Sequence, residues 1–219
     1  MKLALPLLAL LLAGSAAAEE AATLRIEPCG SLDSSYGPFD YRTDRKMLDI
    51  VEKHHFTPLV ENLIKPMFSQ FAADFDYTLK TSPNHHRALI SMARYSLRVK
   101  DPKPPGATYT VDCYFERGMR FRPDDLMVRM IYADYLVKAG RVDEAVKHLD
   151  YVTTQAGDNA FTHYNLGSIY LQAKEYDKSA TQAQEALRLG LPRTELKDEL
   201  VKLGKWSEPA AAAAAASAA

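Results

Sequence analysis

From residue 84 onward, large apolar and small residues return in phase along the chain. Tyr132-Ala133 is answered by Leu166-Gly167 at an offset of 34 residues, Ala145 by Ser179, Leu149 by Ala183 and Val152 by Ala186. The same step runs backward from Leu149 to Phe115 and from Val152 to Gly118. Turn-forming phrases keep the step too, "PDDLMVR" from Pro123 and "GDNAFTH" from Gly157. One unit earlier the spacing is 40, from Pro83 to Pro123, Phe75 to Phe115 and Thr78 to Gly118. The excess sits in "VKDPKPPGATYT", whose three prolines and glycine cannot continue a helix. It reads as a surface loop, and removing six residues from it should be tolerated.

A period of this length, with small and large residues in phase, predicts repeated helical hairpins. Each hairpin has an apolar face too large to cover alone, so neighbours stack. Residues 59–80 read as a helix broken near Pro66 and resumed from Phe68. "RTELKDELVKLGKW" after Pro192 is amphipathic, with Leu196, Leu200 and Leu203 on one stripe, and reads as a cap for the last hairpin. "TYTVDCYF" alternates like a strand, but the phase of Phe115 and Gly118 assigns it to helix, since tertiary context overrides weak propensity. "CGSLDSSYGPFDYRTDRKM" has turn formers and aromatics without periodicity. It is either an arm lying on the stack or a recognition segment for another protein.

The stretches "IYADYLVKAGRVDEAVKHLDYV" and "YNLGSIYLQAKEYDKSATQAQEAL" resemble the tetratricopeptide repeat (TPR) family. Leu166-Gly167, Tyr170, Tyr176, Ala145, Ala186 and Pro123 carry the likeness, which covers roughly residues 84–190. The family's consensus tryptophan is missing; Arg129 and His163 stand near its place. The resemblance implies an all-α, TPR-type solenoid of helical hairpins. Its parts are an N-terminal arm (19–57), a half repeat (58–83), three repeats (84–123, 124–157 and 158–191), a capping helix (192–206) and an Ala-rich tail (207–219). It also implies a concave groove made by the first helix of each repeat. Spacing i, i+3, i+7 on those helices selects Arg87, Ile90 and Arg94, then Met127, Met130 and Asp134, then Phe161, Tyr164 and Ser168. One end of that groove is basic and its middle apolar and Met-rich, which suits an apolar segment or a tail with an acidic end. The lysine and asparagine clamp with which some family members hold cytosolic chaperone tails is absent: Met130, Tyr164, Asp134 and Ser168 occupy those places.

The N-terminus changes the picture of where such a stack works. Lys2, the apolar run Leu3–Leu12 and Ala16-x-Ala18 before Glu19-Glu20 read as a signal peptide spanning residues 1–18. Leu12-Ala13-Gly14 would lead into a lipidation site, but Ser15 follows where a cysteine is needed. Removing residues 1–18 takes Lys2 and no acid from 27 basic and 28 acidic residues, leaving a formal charge of −2. No global field for nucleic acid or anionic lipid remains. The two cysteines, Cys29 and Cys113, form no CxxC. In an oxidising compartment one disulfide is the first reading and two free thiols the second. Such a bond would hold the arm against the early repeats.

The candidate chemistry is thin. His85-His86 and His54-His55 are adjacent pairs. Neighbouring helical residues point about 100° apart, and helical zinc pairs use i, i+4 spacing. These histidines, with His148 and His163, therefore read as exposed residues of turns and helix starts, with no metal and no cofactor. No GxSxG, Walker A loop or GxGxxG is present, and Asp124-Asp125 and Asp143-Glu144 sit where helix dipoles favour acids. The expectation is a non-enzymatic periplasmic or secreted scaffold that binds a protein or peptide partner in the cell envelope. The alternative is a soluble binder of a glycan, lipid or small molecule in the same groove.

Overall fold

The structure, a computed structural model, describes residues 29–208. The expected signal peptide and the tail beyond residue 208 lie outside them. Ten helices and no strand occur among the described residues. They are α1 Arg45–His55, α2 Pro58–Glu61, α3 Phe71–Thr81, α4 His86–Val99, α5 Val111–Phe121, α6 Leu126–Lys138, α7 Val142–Gln155, α8 Ala160–Gln172, α9 Tyr176–Arg188 and α10 Glu195–Lys202. The protein is therefore all-α.

Sequence-adjacent helices pack as pairs, α3 on α4, α6 on α7 and α8 on α9. The pairs join through a row in which α4 touches α6 and α6 touches α8. A helix packed on several sides must be apolar around most of its girth. In α6, Val128, Met130, Ile131, Tyr132, Ala133, Tyr135 and Leu136 are all buried. Phe115 of α5 stacks on Tyr132 with ring centroids 4.7 Å apart.

The turns between helices keep the sequence spacing. Lys100, Gly140 and Lys174, 40 and then 34 residues apart, all take left-handed backbone, with φ of 57°, 78° and 63°. They close the helices of the central row, α4, α6 and α8. The next amide then reaches back to a carbonyl of the last turn, Asp101 to Ser96, Arg141 to Leu136 and Glu175 to Tyr170. Glycine takes this conformation without steric cost; at the exposed Lys100 and Lys174 it carries a cost, which the hydrogen bonds closing the helix ends offset. Close approach explains Gly167: a Cβ there would lie 2.6 Å from Leu196 Cδ2. The absence of that carbon lets α10 seat on α8, with Leu196 and Leu200 buried. Leu203, expected on the same stripe, is instead exposed, because α10 ends at Lys202 and the chain turns away.

Two sequence expectations are corrected at the N-terminal side. The arm is not without periodic structure: α1 lies in it and buries Leu48 and Val51 against α3. The helix after Pro66 begins at Phe71 rather than Phe68. Asp74 takes the amides of Met67 and Phe68 on Oδ2, which holds those two residues in a loop. The strand-like "TYTVDCYF" becomes Thr110 as N-cap and α5 beyond it, with the Thr110 hydroxyl accepting from Cys113 N.

The proline loop is packed, contrary to its reading as a free surface insertion. Asp76 accepts from Thr108 N and Thr108 Oγ1, at 3.1 and 3.0 Å, and from the buried Tyr114 hydroxyl. Lys80 Nζ reaches both Asp76 Oδ2 and Thr108 Oγ1. Deleting six residues there would take the two Thr108 hydrogen bonds from the buried Asp76, which is costly.

Cys29 and Cys113 are bonded. The fully buried Arg117 guanidinium donates to the carbonyls of Cys29 and Ser31 and lies 4.7 Å from the Tyr109 ring. Arg120 Nη2 donates to Gly30 O at 2.7 Å. The arm is thus tied covalently and by charge-assisted hydrogen bonds to the α5 surface.

Candidate functional site

The α4–α6–α8 row presents a hollow of about 290 Å³. Ile90 comes from α4; Met127, Met130, Ile131 and Asp134 from α6; Asn165, Ser168 and Ile169 from α8. The floor is apolar. Met130, Ile131 and Ile169 are buried, while Ile90 remains 41% exposed at the edge. Three polar groups stand around it. Asp134 is held by Lys138 Nζ at 2.6 Å, and Ser168 Oγ donates to Tyr164 O at 2.9 Å. Asn165 makes no side-chain hydrogen bond to any described residue, so its amide keeps a donor and an acceptor for a ligand. An apolar floor with a few polar groups fits a small apolar side chain flanked by backbone amides.

Of the nine groove residues expected from spacing, Ile90, Met127, Met130, Asp134 and Ser168 meet at this hollow. Met130 forms its floor and is core, not free surface. Tyr164 is turned away, packed on the cluster of Ala180, Ala183, Leu196 and Leu200 with Arg193 over its ring. Phe161 is exposed but does not line the hollow. The spacing missed Ile131, Asn165 and Ile169, each four residues beyond a residue on the row: Met127, Phe161 and Asn165. An i, i+4 step would have found them.

The expected basic end is neutralised at Arg87 and not at Arg94. Arg87 is not a free cation: it pairs with both carboxylate oxygens of Glu61 and with Glu52 Oε2 at 3.2 Å. The Arg87 hydrogen bond holds the Glu61 carboxyl below its ordinary range. Arg94, four residues beyond Ile90, is exposed on α4.

Most of the histidines are also corrected, His54 alone being exposed as expected. His85 is fully buried rather than an exposed turn residue. Its Nδ1 accepts from Ala88 N at 3.1 Å as N-cap of α4, so the proton sits on Nε2, which faces Glu52 Oε1 at 3.1 Å. Burial holds the His85 ring below its ordinary pKa. His86 Nε2 meets Asp125 Oδ2 at 2.8 Å. His163, also buried, lies between Gly157 O and the Gln182 side chain. Sequence distance hid these partners, 33 residues away for His85 and 39 for His86. No group of three or more His, Cys, Asp or Glu side chains placed to hold a metal occurs among the described residues.

No protein-family model, curated protein or solved structure matches this chain.

Proposed function

We propose that the protein is a TPR-type solenoid that acts as a non-enzymatic scaffold in the cell envelope, holding an apolar peptide segment of a partner protein across the α4–α6–α8 row. The observation that carries this reading is the hollow itself: three helices in the same phase converge on an apolar floor beside the free Asn165 amide. An extended peptide needs such an arrangement, apolar pockets for side chains and an amide for its backbone. The offsets of the left-handed turns support the repeat reading. The Cys29–Cys113 bond supports an oxidising compartment, periplasmic or secreted. No helix among the described residues is long and apolar enough to cross a membrane.

The test uses residues whose replacement leaves the core intact. Ile90→Asp with Asn165→Ala should abolish retention of a partner from envelope extract, with the helical spectrum and unfolding midpoint unchanged. Phe161→Ser is the control and should retain it. A partner that binds the Ile90→Asp variant as tightly as the parent would overturn the reading. Retention of a glycan or lipid alone, seen by native mass spectrometry, would replace it with the small-ligand alternative.

A further inference from the structure

A second surface is unrelated to the hollow. After α2 the chain turns back on itself, with Ile64 N and Lys65 N both donating to Leu59 O, at 2.9 and 3.2 Å. Leu63 is held at φ 58°. From beneath, the fully buried Asp74 accepts the amides of Met67 and Phe68. This fixed loop displays large apolar side chains to solvent: Ile64 is 68% exposed, Phe68 58% and Met67 50%. Fixing such residues outward leaves their apolar area in water, a cost with no return inside the fold.

The display continues onto α1. The Phe68 ring lies 5.1 Å from His55, and His55 stacks on Tyr77 at 3.8 Å. Tyr77 and the exposed Ile50 border a hollow of about 310 Å³ shared with Tyr36 and His54. The strip from Phe68 to Ile50 is therefore continuous, with Ile64 and Met67 displayed on the same loop. Its flanking charges are mostly cationic. Lys65 is in the loop itself, and Arg98 Nη1 reaches Leu63 O at 3.4 Å. Lys46 and Lys53 stand four before and three after Ile50, on its side of α1. The nearby acids are spent. Glu61 and Glu52 are bound to Arg87 and His85, and Asp74 is buried, which leaves Asp49 as the exposed acid of α1.

We infer that this strip is a docking surface for an anionic membrane, with Ile64, Met67 and Phe68 entering the headgroup boundary while Lys65, Arg98, Lys46 and Lys53 meet lipid phosphates. Apolar side chains on a rigid turn, ringed by cations, match the two attractions that hold a protein in a bilayer interface.

The experiment is co-sedimentation of the full chain with vesicles of phosphatidylcholine, with and without phosphatidylglycerol. Every variant carries the same N-terminus, so any contribution from that segment cancels between parent and variants. The parent should bind vesicles containing phosphatidylglycerol more tightly than those without it. Ile64→Asp with Phe68→Asp should lower the partition coefficient by about tenfold or more, and Lys65→Glu by about fivefold. Circular dichroism should be unchanged, because the replaced side chains are exposed. Phe68→Trp in a Trp206→Phe background should shift its emission to the blue on anionic vesicles. Binding that is indifferent to phosphatidylglycerol, or unaffected by the loop substitutions, would overturn the inference. So would a solution dimer that Ile64→Asp dissolves, since the strip would then be covered by a second copy.

Discussion

Asn84 offers a sharp test of how the N-terminal segment is joined to the stacked helices. Its side chain is fully buried. Oδ1 accepts from Tyr41 N at 3.0 Å, and Nδ2 donates to Asp40 Oδ1 and to Asp125 Oδ2, both at 2.8 Å. One amide thus bridges two buried carboxylates from distant segments. Asn84→Asp keeps the shape but replaces the donor with a third carboxylate. Two hydrogen bonds to charged groups are lost, each contributing about 1.5–3 kcal/mol, so the cost is about 3–6 kcal/mol before any repulsion. Asn84→Ala loses these two bonds and the one from Tyr41 N, about 1 kcal/mol more, but adds no charge. At neutral pH repulsion from Asp40 and Asp125 should still leave the Asp variant the less stable of the two, by about 1 kcal/mol or more. The sign with pH is fixed by linkage. Neighbouring carboxylates raise the folded pKa of the introduced acid above its unfolded value of about 3.9, so its penalty is present above the folded pKa and relieved as pH falls through it. Urea unfolding of both variants at pH 7 and pH 5 reads this directly. An Asp variant equal to the Ala variant at pH 7, or one that loses ground to it on acidification, would refute the bridging role.

Two further outcomes follow from the packing. Replacing Cys29 and Cys113 by serine opens a link between residues 84 apart and should lower stability by about 4.5 kcal/mol in the chain-entropy model. Thiol counting on denatured, unreduced parent should find no free thiol, and two per chain would contradict the bond. At the alkaline end, burial raises the pKa of Tyr114, Tyr132, Tyr135 and Tyr170 above the ordinary phenol value. Their stabilising effect is complete below the unfolded pKa of about 10 and is lost as pH rises beyond it, because the unfolded chain releases protons that the folded one keeps. Unfolding free energy should therefore fall steeply between about pH 10 and 11, and less steeply in Tyr114→Phe; a flat profile would show these hydroxyls are not protected.

The local pattern of this chain determined most of its helices from α4 onward and the pairing of α6 with α7 and α8 with α9; α4, expected to pair with α5, packs mainly on α3. Helix formation depends on spacing of apolar positions and on capping residues, and both are readable in order along the sequence. The offset between Pro123 and Gly157 is the offset between the left-handed Gly140 and Lys174. The disulfide was legible as well, because two cysteines in an oxidising compartment have one pairing available. Tertiary structure alone decided what each polar side chain faces. His85 and Arg87 could not be read as buried or neutralised, because their partners Glu52 and Glu61 come from α1 and α2, far earlier in the chain. The aperiodic look of the arm had the same origin, since α1 shows only Leu48 and Val51 to the core. The hollow was half legible. A fixed helical step selects a face, but Tyr164 packs on the α9–α10 cluster while Asn165 faces the hollow, and α8 meets α10 closely at Gly167. That contact is set by the packed neighbour and not by the helix's own residues.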